Sequence, residues 1–125
     1  MARKPPRLYA AVAYDYYLDP RFAALPAEAE VLYIRTLGFV KGQWSDGWVA
    51  EASLPYVNPR SKTLKRDVKA LVSAGLWQPD GDGYRIHAWE RWNMTRAEHA
   101  DLSEKRKKAA SRRWDAKKEA PDDTH

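Results

Sequence analysis

The stretch from Asn58 to Trp89 constrains the fold more than any other part of the chain. Asn58-Pro59 is a helix-start signal, because Asn accepts hydrogen bonds from first-turn N–H groups and Pro lacks an N–H that would go unpaired there. Leu64, Val68, Leu71 and Val72 then fall at i, i+4, i+7 and i+8, which is one helical face. Gly75 supplies a C-terminal stop. The spacing predicts a helix over Pro59 to Ala74. Leu76-Trp77-Gln78 reads as a short strand, and Pro79 to Gly83 as a turn holding two Asp-Gly pairs. Tyr84 to Trp89 alternates and reads as the return strand. A cationic helix followed at once by a hairpin is the order of a winged helix-turn-helix.

The charges on that helix point the same way. Lys62, Lys65, Arg66 and Lys69 cluster opposite the apolar face on a helical wheel, and Asp67 is the only acid among them. Like charges three and four residues apart repel, and a polyanion that neutralises them relieves that cost. The plain alternative is a solvated face that keeps the helix soluble, which mixed charges would serve better. Arg60 and Ser61 stand in the expected first turn, where a recognition helix touches bases. In the hairpin the tip is acidic, so Tyr84 and Arg85 are the candidate contacts there.

Upstream, residues 1–7 read as a disordered basic arm. In the run from Leu8 to Phe22 the Tyr-rich part, through Leu18, reads as strand-like or extended, followed by a turn at Asp19-Pro20, and covers one side of the core. Pro26 to Val40 reads as the first helix of a three-helix unit, with Ala29, Leu32, Tyr33, Thr36, Leu37 and Val40 as its apolar stripe and Gly38 near its end. Glu28 and Glu30 at its start suit the helix dipole. Gly42 to Trp48 reads as a loop, Trp48-Val49 as a short strand, and Glu51 to Tyr56 as a second helix stopped by Pro55 and Asn58-Pro59. Downstream, Thr95 and Glu98 form a capping box for a helix from Arg96 to about Lys118. Its apolar residues, Leu102, Ala109, Ala110 and Trp114, are too sparse to hold it against a core along its length. Trp92, Met94 and Leu102 are expected to dock its first turns. Lys105, Arg106, Lys108, Arg112 and Arg113 make its remainder a candidate phosphate-binding segment that orders on DNA. Trp114 is a candidate contact for a protein partner or a second copy. The acidic residues 119–125 read as a disordered tail.

The chain has 125 residues and a net charge of +5, which suits one small domain with tails. With no cysteine, a disulfide framework and a thiolate zinc site are excluded, and a bacterial cytoplasm fits. No apolar run approaches the roughly 20 residues that span a bilayer, and no signal-peptide core stands at the N-terminus. No phosphate-cradling glycine loop, nucleophile elbow or metal-spaced histidine pair occurs, and His87, His99 and His125 lie in different elements. Asp80 and Asp82 offer too few oxygens for a calcium loop. Trp77, Trp89 and Trp92 read as core rather than as a base-stacking platform. The expectation is a protein that is not an enzyme and holds no cofactor or metal.

The pattern Ala74-Gly75-Leu76-Trp77, a glycine-containing turn, Tyr84 to Trp89, then Trp92-Asn93-Met94-Thr95-Arg96-Ala97-Glu98 resembles winged-helix proteins of actinobacterial phages, prophages and related mobile elements. The likeness extends upstream through Leu25 to Ala29 and Ser45 to Trp48 and covers about residues 8–115. It is similar to the N-terminal DNA-binding domain of replication initiators of the replisome-organiser kind. The resemblance implies an α+β, mostly α winged helix-turn-helix over residues 8–95, a basic helix over 96–118, and a role in replication initiation or transcriptional regulation. Such initiators usually carry a further helicase-loading domain, which is not expected here. Double-stranded DNA is the expected partner. The competing class is a winged-helix docking module for a host or phage protein.

Overall fold

A computed structural model describes residues 9–119. The chain is α+β and mostly helical, with one small antiparallel sheet. It divides into two compact units, Met1–Met94 and Thr95–His125. The expected basic arm 1–7 and residues 120–125 of the acidic tail lie outside the described residues.

In the first unit the helices are α1 Pro20–Ala23, α2 Ala27–Gln43, α3 Leu54–Val57, α4 Leu64–Ser73 and α5 Trp89–Trp92. The strands are β1 Trp48–Ala50, β2 Trp77–Asp80 and β3 Gly83–Ile86, in the order β1-β3-β2. β3 is central because it pairs on both edges, Val49 with Tyr84 on one side and Trp77 with Ile86 on the other. Leu32, Leu37 and Val40 of α2, Leu54 and Val57 of α3 and Leu71 of α4 bury themselves against Val49, Trp77, Ile86 and Trp89. The α2 stripe read from the sequence is therefore the spine of the core, and α2 and α4 pack directly on each other.

Several boundaries differ from the sequence reading, each for a local reason. The Tyr-rich part is not extended to its end at Leu18. Tyr16–Leu18 is a 3-10 turn, and Asp19-Pro20 starts a helix because the Asp19 carboxylate accepts from the Arg21 N–H at 2.9 Å. Tyr16 and Tyr33 each meet Phe22 edge-on, at 5.1 and 5.0 Å, which ties this segment to α2. α2 runs through Gly38 and Gly42 and ends where Trp44 adopts the left-handed conformation, with Lys41 Nζ 4.6 Å above its ring. Pro55 sits in the first turn of α3, where its missing N–H costs nothing, so it starts that helix rather than stopping it. The hairpin turn is tighter than expected. β2 continues through Pro79 and Asp80, and Gly81, at φ +62°, takes the first position of a two-residue turn. β3 ends at Ile86, and Ala88 turns the chain into α5 instead of continuing the strand to Trp89.

The second unit is one helix, α6, spanning Arg96–Glu119. Thr95 caps its start as predicted: Glu98 N–H donates to Thr95 Oγ1 at 3.1 Å, one of the two bonds of a capping box. Among the described residues no helix is long and apolar enough to cross a membrane.

Candidate nucleic-acid interface

α4 is built by its two ends. The helix does not begin at Pro59. Asn58 instead closes α3, its N–H donating to Leu54 O at 3.0 Å, and Ser61 N–H donates to Asn58 O at 3.2 Å. Residues 58–63 are a turn, and the first α4 hydrogen bond runs from Asp67 N–H to Thr63 O at 2.9 Å. The cause is the Asp67 side chain, which has no solvent exposure. A buried carboxylate must be paired and hydrogen-bonded. It accepts from Thr63 Oγ1 at 2.9 Å, from Ser61 Oγ at 3.4 Å and from the Arg66 guanidinium at 3.1 and 3.2 Å. These bonds draw the hydroxyl-bearing turn over the N-terminal end of α4, so the strong local start signal at Asn58-Pro59 loses to a tertiary one. At the other end, Leu76 N–H donates to Leu71 O and Gly75 N–H to Val72 O, at 3.1 and 3.0 Å. That pair of bonds is a Schellman motif, with Gly75 at φ +76°.

The turn places Arg60, Ser61 and Lys62 ahead of the helix rather than on its first turn. Ser61 is committed internally, to Asp67 and to the Thr63 N–H at 3.1 Å. With about 100° per residue, Lys65 and Lys69 lie on the side of α4 away from Asp67 and Leu71. Arg66 lies on the flank toward α2 and is also committed, pairing with Glu28 at 3.1 Å and with Asp67 at 3.1 Å. Leu64, Val68 and Val72 do not join the buried core as their periodicity suggested. They are half-buried and floor an open groove of about 570 Å³, bounded by Leu54 and Pro55 of α3 and by Pro79 and Tyr84 of the hairpin. Lys65 and Lys69 line the same groove.

The hairpin residues are engaged within the fold. The Tyr84 ring stacks on Trp77 at 5.6 Å, and its hydroxyl donates to Glu51 Oε1 at 3.5 Å. Burial, and then the Glu51 carboxylate, push the Tyr84 hydroxyl above the ordinary tyrosine value. Arg85 points to the other side of the sheet, where it pairs with Asp80 at 2.9 Å and donates to Asp46 O at 3.2 Å. Asp80 of the acidic tip is thus balanced from inside the hairpin. No sequence pattern marked the Glu28–Arg66 pair, which joins residues far apart in the chain. The Asp67 anchor did leave a signal: the one acid in a cationic run, four residues after Thr63.

Arg60, Lys62, Lys65 and Lys69 differ from these in making no ion pair among the described residues. On α6, Lys105 pairs with Asp101 at 3.1 Å, one turn earlier. Arg106, Lys108, Arg112 and Arg113 are exposed, and Trp114 is 60% exposed. Comparison of the chain with protein families, with curated proteins and with solved structures finds no match.

Proposed function

We propose that the chain is a winged helix-turn-helix protein that binds double-stranded DNA through α4. The supporting observation is the placement of Lys65 and Lys69 on the outer side of a helix anchored by Asp67 and Leu71, with Arg60 and Lys62 on the turn leading into it. Four cations without acidic partners among the described residues concentrate positive potential along one edge, which a phosphate backbone relieves. α3 and α4 serve as the helix-turn-helix, and the β2–β3 hairpin as the wing. Arg66 and Arg85 are structural in this reading, and Tyr84 holds the wing against the body. The exposed cations of α6 add phosphate contacts. By resemblance, the DNA would be that of a phage or mobile element, with a role in replication initiation or transcriptional regulation.

The test is fluorescence anisotropy of a labelled duplex across a salt series. Each phosphate contact contributes about 0.9 to the slope of log K against log salt. Lys65→Glu with Lys69→Glu should weaken binding to all sequences and flatten that slope by about two units. No binding by the wild type at low salt, or an unchanged slope in the double variant, overturns the reading.

The groove beside these lysines favours a second reading, a docking module for an acidic protein segment with apolar anchors. Val68→Gln separates the two. It spoils the groove floor while leaving every cation in place, so DNA affinity should hold and protein docking should fall.

A further inference from the structure

The core accounts for only one side of α2. Its inner residues Ala29, Leu32, Thr36, Leu37 and Val40 are buried. Its outer side carries Val31 and Ile34, 49% and 37% exposed, together with Gly38 and Gly42. These four fall within about a quarter-turn on the helical wheel. α2 is therefore apolar on both sides, and a helix of that kind is ordinarily covered on both.

The glycines sharpen the point. Glycine inside a helix costs about 0.5–1 kcal/mol relative to alanine. Among the described residues nothing lies within 4 Å of the position a Cβ would take at Gly38 or at Gly42, so no described contact requires either one. The remaining physical use of a helical glycine is the close approach of another backbone.

We propose that this side of α2 pairs with α2 of a second copy, antiparallel about a two-fold axis near residue 36. The argument is self-complementarity of shape, bulk on one half of the face and open space on the other. In an antiparallel pair, residues whose numbers share a constant sum face each other. A sum near 72–73 seats Val31 of each copy over Gly42 of the other, and Ile34 over Gly38, bulk into hole twice over. The same register opposes the two helix dipoles. Arg35 would meet its own copy near the axis, but its Nε donates to Val57 O at 2.7 Å and draws the guanidinium aside toward α3. Phe39 and the 79% exposed Tyr56, in edge contact at 6.1 Å, widen the patch on that side. A two-fold interface uses the same patch on both subunits, which this face satisfies. A single helix pair buries less than the roughly 800 Å² per partner of a standard interface, so the dimer is concentration-dependent.

The experiment is sedimentation equilibrium of the full chain from low to high micromolar concentration. The apparent mass should climb from 14.4 kDa toward twice that value. Gly38→Gln with Gly42→Gln fills both holes with a good helix former in open space. It should keep the melting temperature at or above wild type while the mass stays at 14.4 kDa throughout. Val31→Gln with Ile34→Gln removes the bulk instead and should also give a monomer. It carries the test alone if the glycine variant fails to fold. A wild type that remains monomeric at every concentration, or folded variants that dimerise as it does, overturns the proposal.

Discussion

The Asp67 carboxylate should be the most costly polar group in the first unit to remove. Its side chain has no exposure and holds Thr63, Ser61 and Arg66 together. A hydrogen bond to a charged group contributes about 1.5–3 kcal/mol. The 2.9 Å bond from Thr63 counts in full, whereas the 3.4 Å bond from Ser61 is long and counts little. Arg66 is half exposed and keeps Glu28, so it rehydrates when Asp67 is lost and contributes only in part. Asp67→Ala should therefore cost about 2–4 kcal/mol. For a unit of this size that is a fall in melting temperature of roughly 8–30 °C. Asp67→Asn keeps the volume and one acceptor and should cost about half as much. Urea denaturation followed by tryptophan fluorescence measures both. A cycle with Thr63→Ala should return a coupling of at least about 1 kcal/mol. If Asp67→Ala costs less than about 0.5 kcal/mol, within the ordinary range for surface changes, the carboxylate does not organise the turn.

Three further perturbations test other parts of the structure. Gly75→Ala has open space around its Cβ, so only the left-handed backbone opposes it; a loss of about 1–2 kcal/mol is expected, and Gly75→Asn should recover part of it in the same denaturation assay. Burial pushes the Tyr33 hydroxyl above the ordinary tyrosine value of about 10, so its contribution is complete below that pH and is lost as pH rises through the folded value. Wild type should then lose stability above about pH 10 more steeply than Tyr33→Phe, and parallel curves would refute the assignment. Arg85→Ala breaks an exposed pair with Asp80, so stability should change by less than about 1 kcal/mol. The salt slope for DNA should not change either, and a fall of about one unit would return Arg85 to the interface.

How far the sequence reaches can be judged on α4. Periodicity identified Leu64, Val68, Leu71 and Val72 as sharing a face, and they do lie on one side of the helix. Periodicity carries no information about what covers that side. The buried strip turned out narrower and displaced, centred on Asp67 and Leu71, because α2 approaches from the Arg66 flank and the hairpin stops short of Val68. The same limit explains the charges. A wheel makes every lysine and arginine look equally available, whereas Glu28 and Asp80 each claim one from another element. Local chemistry was legible where its partner lay within a few residues, as in the Thr95–Glu98 cap, the Gly75 terminus and the Asp-Gly hairpin. It misled at Asn58-Pro59, where a strong start signal closes the preceding helix instead. A locally favourable cap worth about 1 kcal/mol cannot outweigh a buried carboxylate that needs all its partners. In this part of the chain the cations that survive the sorting, Arg60, Lys62, Lys65 and Lys69, make a smaller set than the sequence suggested. They run from the turn onto the outer side of α4, and the reversal of Lys65 and Lys69 tests that set directly.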